Sequence, residues 1–310
     1  MHISSAAAAC QSLRKRSSGQ VTILYVVTIV TLLACVSLVV DVTNLYLQFT
    51  RLQSATDSAA LAGAAYLPTQ TDNVQSTTRS YALSNGVTAA EIQSVIIAGD
   101  SNSLTVTTSR NVPAYFARVL GLTQFTVSAS ARAGVQPAGS NVTGVLPIGL
   151  DDTTTYRYGE TVTLHGGDVG PGNWGGLALG CTGGSCYQDN LANGYSGQLS
   201  IGDVVPTEPG AKVGPTKHGI DDRIANGQAM DPAGTWNQHQ LADPRAAVVP
   251  LATWGGVHGR ETVPITGFAE VWITGVSGSD ISAVFIAQSI SGAAAPGAPN
   301  AGALHVALLR

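Results

Sequence analysis

Several short stretches of the chain bring reactive side chains close together in sequence. Cys181 and Cys186 flank Thr182-Gly183-Gly184-Ser185, close enough for a local disulfide if the loop lies outside the cytoplasm; two free thiols are the alternative. No second ligand pair occurs beyond them at zinc spacing, so no zinc site is expected. Lys217-His218-Gly219-Ile220-Asp221-Asp222-Arg223 gathers a histidine and two carboxylates. These residues could bind a metal ion or set a helix N-terminus, where carboxylates accept otherwise free amide N–H groups. Gly194-Tyr195-Ser196-Gly197 lacks the glycine two residues after the serine that a nucleophile elbow requires. His165-Gly166-Gly167 has the form of an oxyanion-hole turn, but no serine-centred elbow accompanies it. The residues therefore predict no catalytic, cofactor or metal site, and a hydrolase built on His165, Ser196 or His218 with Asp222 is the weakest reading.

The elements that would hold these residues are read from composition and pattern. Charged residues make up 11% of the 310-residue chain, far below the roughly 25% of an average soluble protein. With 36 glycines, 14 prolines and an apolar share of 44%, the chain reads as β-rich and loop-rich rather than disordered. A net charge of −4 and the lack of a basic patch with interleaved aromatics exclude a nucleic-acid partner.

Residues 21–40, bounded by Val21 and Val40, carry no charge. As a helix rising about 1.5 Å per residue, this run spans roughly 30 Å, the thickness of a bilayer's hydrocarbon core. Arg14, Lys15 and Arg16 precede it and Asp41 is the first charge beyond it, so the positive-inside rule places the N-terminus in the cytoplasm and exports the chain from Asp41 onward. A cleaved secretory signal is the rival. The run exceeds the 7–15 residues, roughly, of a signal's apolar core, and the nearest Ala-x-Ala, Ala60-Leu61-Ala62, is far from Val40. The helix should continue to about Tyr66, before Pro68. Leu45, Phe49, Leu52, Thr56, Ala59 and Gly63 fall on one face, and Ala55, Ala59 and Gly63 form a small-residue ladder that admits a close neighbour.

Gly19-Gln20, the apolar span, Asp41-Val42, Tyr46, Arg51-Leu52-Gln53, Ala55, Asp57 and Ala59-Ala60-Leu61-Ala62-Gly63 together resemble the N-terminal region of TadE/TadG-like proteins. These belong to the tight-adherence (Tad), or Flp, pilus assembly systems of bacteria. The likeness continues through Val112-Pro113-Ala114-Tyr115-Phe116-Ala117-Arg118-Val119-Leu120-Gly121 and Val127-Ser128-Ala129-Ser130-Ala131-Arg132-Ala133. The resemblance implies a helix that anchors an exported domain and a role as minor pilin or anchoring factor. Prepilin peptidase substrates carry Glu at the fifth position after the cleaved glycine, whereas counting from Gly19 gives Leu24, which points to the uncleaved TadG-like branch. Larger TadG-like members carry a von Willebrand A-type domain with an Asp-x-Ser-x-Ser metal motif. Asp151-Asp152-Thr153-Thr154-Thr155 does not match it, so no metal site is carried over.

The fold class expected is α+β: a long transmembrane helix running into a small α/β unit, then a mainly β barrel or sandwich domain. Residues 1–20 form a cytoplasmic basic segment, 21–40 the span, 41–135 the extended helix with a pilin-like α/β unit, 136–144 a linker and 145–310 an exported β-rich domain. Within the α/β unit, 72–84 reads as a helix capped by Thr71 or Asp72, 93–98 and 104–108 as a hairpin, 113–120 as a short helix and 125–135 as a strand. Strands are expected at 146–150, 161–165, 246–251, 262–273, 281–286 and 304–309. No helix beyond about two turns stands out, the best being 219–225, and 166–213 shows little strand pattern. The Gly/Pro-dense run 202–215, with Gly172-Asn173-Trp174-Gly175, reads as a rigid loop over a β core or as a recognition surface.

The leading reading is a non-enzymatic inner-membrane component of a Tad/Flp-type system. Its partners are the lipid bilayer and pilus-assembly or envelope proteins. The alternative is a membrane-tethered adhesin or ligand-binding module.

Overall fold

The computed structural model describes residues 18–153, 157–164 and 175–309. Arg14, Lys15, Arg16, Thr154, Thr155, His165, Gly166, Gly167 and Trp174 lie outside the described residues.

Helix α1 (Ser18–Ala64) is 47 residues long, because nothing in the sequence interrupts it. Among the described residues it is the one helix long and apolar enough to cross a membrane. Most apolar side chains of residues 21–40 are exposed, as a lipid-facing helix requires. Three of its hydroxyls in this run are satisfied within the helix. Thr28, Thr31 and Ser37 donate to the carbonyls of Leu24, Val27 and Leu33 at 2.8, 2.8 and 2.6 Å. Such bonds to the preceding turn let a hydroxyl sit in an apolar medium.

The chain forms two compact units. One comprises the described residues up to Leu52 together with Ser109–Ala129. The other comprises Gln53–Thr108 and the residues from Ser130 onward. After α1 come α2 (Thr71–Ser84), β1 (Ile92–Ile97), β2 (Ser103–Pro113) and β3 (Gln124–Ser140). Strands β1 and β2 pair antiparallel, as the hairpin pattern predicts. The expected cap on α2 differs: Gln70 stands at the N-cap, and its side chain makes no capping bond to the helix backbone. Residues 113–120 are less helical than expected, with only a 3-10 turn at Ala117–Leu120.

The remaining elements are β4 (Leu150–Asp151), β5 (Thr161–Leu164), α3 (Gly184–Asn193), β6 (Val204–Pro206), α4 (Val213–Met230), β7 (Ala246–Ala252), β8 (Thr262–Ser277), β9 (Asp280–Ile286), β10 (Gln288–Ser289), β11 (Ala293–Ala294) and β12 (Ala303–Leu308). One sheet runs β4-β7-β8-β9-β5 with β6 on β8; the other runs β1-β2-β3-β12-β10 with β11 on β3. The α+β class holds, with a mainly β region that includes a half-barrel and a nearly closed barrel sheet.

Two expectations are corrected. Residues 136–144 are not a linker. Gln136 to Ser140 continue β3, and Val142 joins a buried cluster with Ala138, Val145, Val263, Phe268 and Ala303. The polar, Gly/Pro-rich composition is absorbed by strand pairing: β12 lies antiparallel on β3 with Leu304 opposite Pro137 and Leu308 opposite Ala133. Pro137 has no N–H to contribute, and its carbonyl accepts from Ala295 N at 2.8 Å. The chain's C-terminal strands thus join the sheet begun by β1 to β3. The second correction is helical content. Helix α3 falls inside the supposed strand-poor loop, and α4 is 18 residues long. Pro215 sits in the first turn of α4, where an N–H has no helical partner to lose. Gly219 lets α4 approach α3, since a Cβ there would press on the Gln188 carbonyl and the Leu191 Cβ, each at 2.7 Å.

Candidate functional site on the anchor helix

The small-residue ladder lies on the buried side of the C-terminal part of α1. Ala55 is 4% exposed and Ala59 is fully buried, as is Ala60 beside it. A Cβ on Gly63 would overlap the Thr78 hydroxyl on α2 and stand 3.3 Å from Leu104 Cδ2 on β2. Small side chains here permit helix-to-sheet approach that larger ones would block. Polar bonds set the register. The hydroxyls of Thr56 and Thr108 share a 2.7 Å bond, and Gln53 Nε2 donates both to Asp57 Oδ1 at 2.7 Å and to the Ser130 carbonyl on β3 at 3.0 Å. Gln53 and Asp57 were legible as motif positions; their pairing with a strand was not.

At the other end of this stretch, Asp41 is only 5% exposed, covered by a turn laid over it rather than sunk in a core. Its Oδ1 accepts the N–H of Tyr115 at 2.9 Å; its Oδ2 accepts those of Phe116 at 3.1 Å and Ala117 at 2.7 Å. Burial pushes the Asp41 pKa up, but the N–H groups of Tyr115, Ala117 and Phe116 more than offset this and hold it below the ordinary carboxylate value. In the sequence, Asp41 is visible as the charge after the apolar run and as a motif position, but its hold on a distant turn is not.

The candidate reactive groups are dispersed. Cys181 and Cys186 form a disulfide, with Cα atoms 6.1 Å apart. His218, Asp221 and Asp222 are placed on α4, where Asp221 pairs with Lys217. Arg223 of the same run is buried and instead donates to the carbonyls of Leu191 and Pro244, each at 2.6 Å. Ser196 is exposed in a loop. No group of three or more His, Cys, Asp or Glu that could hold a metal ion occurs among the described residues.

A buried polar cluster is joined by several contacts. Arg245 grips Asp243 through two bonds, at 3.0 and 2.7 Å, and lies 4.5 Å from the Trp272 ring. His239 stacks at 4.6 Å on the same ring and bonds Gln288 Oε1 at 2.7 Å. Gln288 in turn donates to the Leu241 carbonyl. Such closure is what a structural network requires. The Gly/Pro-dense run is a covering loop in part: Thr207 is buried and its hydroxyl donates to the Gly259 carbonyl at 2.8 Å. Glu208 beside it pairs with Lys212 at 3.0 Å.

With that geometry in place, comparison with known proteins is informative for the N-terminal part. Residues 19–65 match the model of the putative Flp pilus-assembly TadE/G-like family, and residues 46–133 match that of the putative Tad-like Flp pilus-assembly family. This region is TadE/TadG-like, and it relates the chain to Tad/Flp pilus assembly. The matched span holds both the apolar run and the whole docking face from Gln53 to Gly63. No curated protein and no solved structure matches the chain significantly.

Proposed function

We propose that the chain is a non-enzymatic, single-pass inner-membrane component of a Tad/Flp-type pilus assembly system. Residues 21–40 cross the bilayer, the N-terminus faces the cytoplasm, and everything from Asp41 onward is exported. There it acts as a minor pilin-like or anchoring protein whose partners are the lipid bilayer and other pilus-assembly or envelope proteins. The observation that carries this reading is the division of labour within α1. Its first half is bare and apolar, and its second half docks through Ala55, Ala59 and Gly63. A bare apolar helix in water is unfavourable and in lipid is at rest. Arg14, Lys15 and Arg16 before the span support the orientation. Cells that make Tad/Flp-type pili and lack this chain are expected to lose surface pili, counted by electron microscopy, and to regain them on complementation. Unchanged piliation would contradict the assembly role.

A binding-module reading has one specific observation in its favour. Tyr158 and Trp236, with ring centroids 5.4 Å apart, border a groove of about 340 Å³ that Asp72, Asn73 and Asn237 also line. Aromatic faces beside amides and a carboxylate suit a polar ring such as a sugar. Glycan-array binding by the full chain that is lost in Trp236→Ala would support it, and flat binding would remove it.

A further inference from the structure

The turn that Asp41 holds has a composition that tethering alone does not explain. Tyr115, Phe116, Val119 and Leu122 are 59, 48, 89 and 50% exposed, an apolar patch on a turn of a few residues. Isolated exposed apolar side chains are ordinary, but a contiguous patch marks a surface that meets something apolar. Its neighbour is already defined. The turn flanks the end of the span, leaving a groove of about 240 Å³ between Ala34, Ser37 and Leu38 of the helix and Phe116, Ala117 and Val119 of the turn. Ala34 precedes Val40 by six residues. At a rise of about 1.5 Å per residue, the groove reaches roughly 9 Å inside the outer end of the apolar run.

The backbone of the turn is also prepared for a medium without water. Irregular backbone is excluded from lipid unless its polar groups are satisfied internally. Here the N–H groups of Tyr115, Phe116 and Ala117 are taken by the Asp41 carboxylate. Those of Ala114, Val119, Gly121 and Leu122 are taken by the carbonyls of Thr123, Phe116, Arg118 and Ala117. Arg118, set among these apolar side chains, is long enough to keep its guanidinium at headgroup level.

We propose that the turn of residues 114–122 is a second membrane contact: Tyr115, Phe116, Val119 and Leu122 insert into the leaflet at the Asp41 end of the span, and Arg118 meets lipid phosphate. Continuity with the bare apolar helix selects lipid over a protein partner, since the patch opens onto the same medium. The span then has a collar that fixes its depth, and Asp41 closes that collar by occupying its free donors. The inference rests on residues 21–40 spanning the bilayer, and the test separates the two.

The full chain carrying Cys10→Ser and Cys35→Ala is spin-labelled at Val119→Cys or at Val36→Cys and placed in nanodiscs of phosphatidylcholine and phosphatidylglycerol. Val119 is 89% exposed, so its replacement leaves the fold untouched. Both labels are expected to collide with oxygen in preference to a water-soluble nickel chelate, with Val119 about 5–10 Å below the phosphates. A Val36 label in lipid with a Val119 label open to the chelate would overturn this inference and leave the span intact. A Val36 label open to the chelate would overturn the span and this inference with it.

Discussion

Thr56 on α1 and Thr108 on β2 share a 2.7 Å hydrogen bond between hydroxyls, and both residues are fully buried. The pair ties the C-terminal part of the helix to the sheet. Removing either hydroxyl breaks the bond, whereas removing both leaves an apolar contact of the same shape. Thr56→Val and Thr108→Val are each expected to cost about 0.5–1.5 kcal/mol, and the double variant less than their sum. Thermal unfolding of the full chain in detergent checks this; strict additivity would show that the bond contributes nothing.

Gly63 makes a second, steric prediction. Gly63→Leu forces atoms into the Thr78 hydroxyl and Leu104, and overpacking of this kind costs about 1–3 kcal/mol. Ser54→Leu, on the exposed side of the same helix, should change stability by less than about 0.5 kcal/mol. Equal losses at the two positions would mean that the ladder is not a docking face.

The Cys181–Cys186 disulfide closes a short loop into α3. Cys181→Ser with Cys186→Ser, or reduction, is expected to cost about 2 kcal/mol, at the low end for disulfides because the loop is short. A melting temperature that ignores reductant would sink this expectation.

Glu270 on β8 predicts a pH dependence. It is 1% exposed, and its Oε2 has no hydrogen-bond partner among the described residues. Burial pushes its carboxyl up to about 8, against the pull of the Arg223 guanidinium, itself pushed down to about 10 by burial. The folded state therefore holds a proton that the unfolded chain releases near 4.5. Stability is full below that value and is lost as pH rises towards 8, by an amount on the order of a few kcal/mol. Glu270→Gln should flatten the curve between pH 5 and pH 8. An unchanged slope in the variant would assign the pH dependence elsewhere.

How much of this was legible in the sequence depends on where each interaction closes. The long apolar helix, its buried small residues and the hairpin are local patterns, and uninterrupted apolarity, spacings of four and β-branched runs revealed them. Helix α4 was hidden because Gly214, Gly219 and Gly227 read as breakers, although Gly219 serves contact with α3. The strand through 136–140 was hidden because its partner β12 lies at the far end of the chain, and composition alone favoured a linker. At the candidate site, Asp41 was visible as a charge after the apolar run and as a motif position, without its partners. Its partners Tyr115, Phe116 and Ala117 are more than seventy positions away. The cluster of exposed apolar residues around Arg118 was the signal that could have joined them.

The central claim is that α1 carries the rest of the chain on the far side of a membrane. Cells expressing the chain with an epitope at each terminus, opened osmotically and treated with protease, test it most directly. The account predicts that the chain pellets with membranes, that the C-terminal epitope is digested and that the N-terminal epitope survives until detergent is added. A C-terminal epitope protected until detergent, or a chain released without it, would contradict the account.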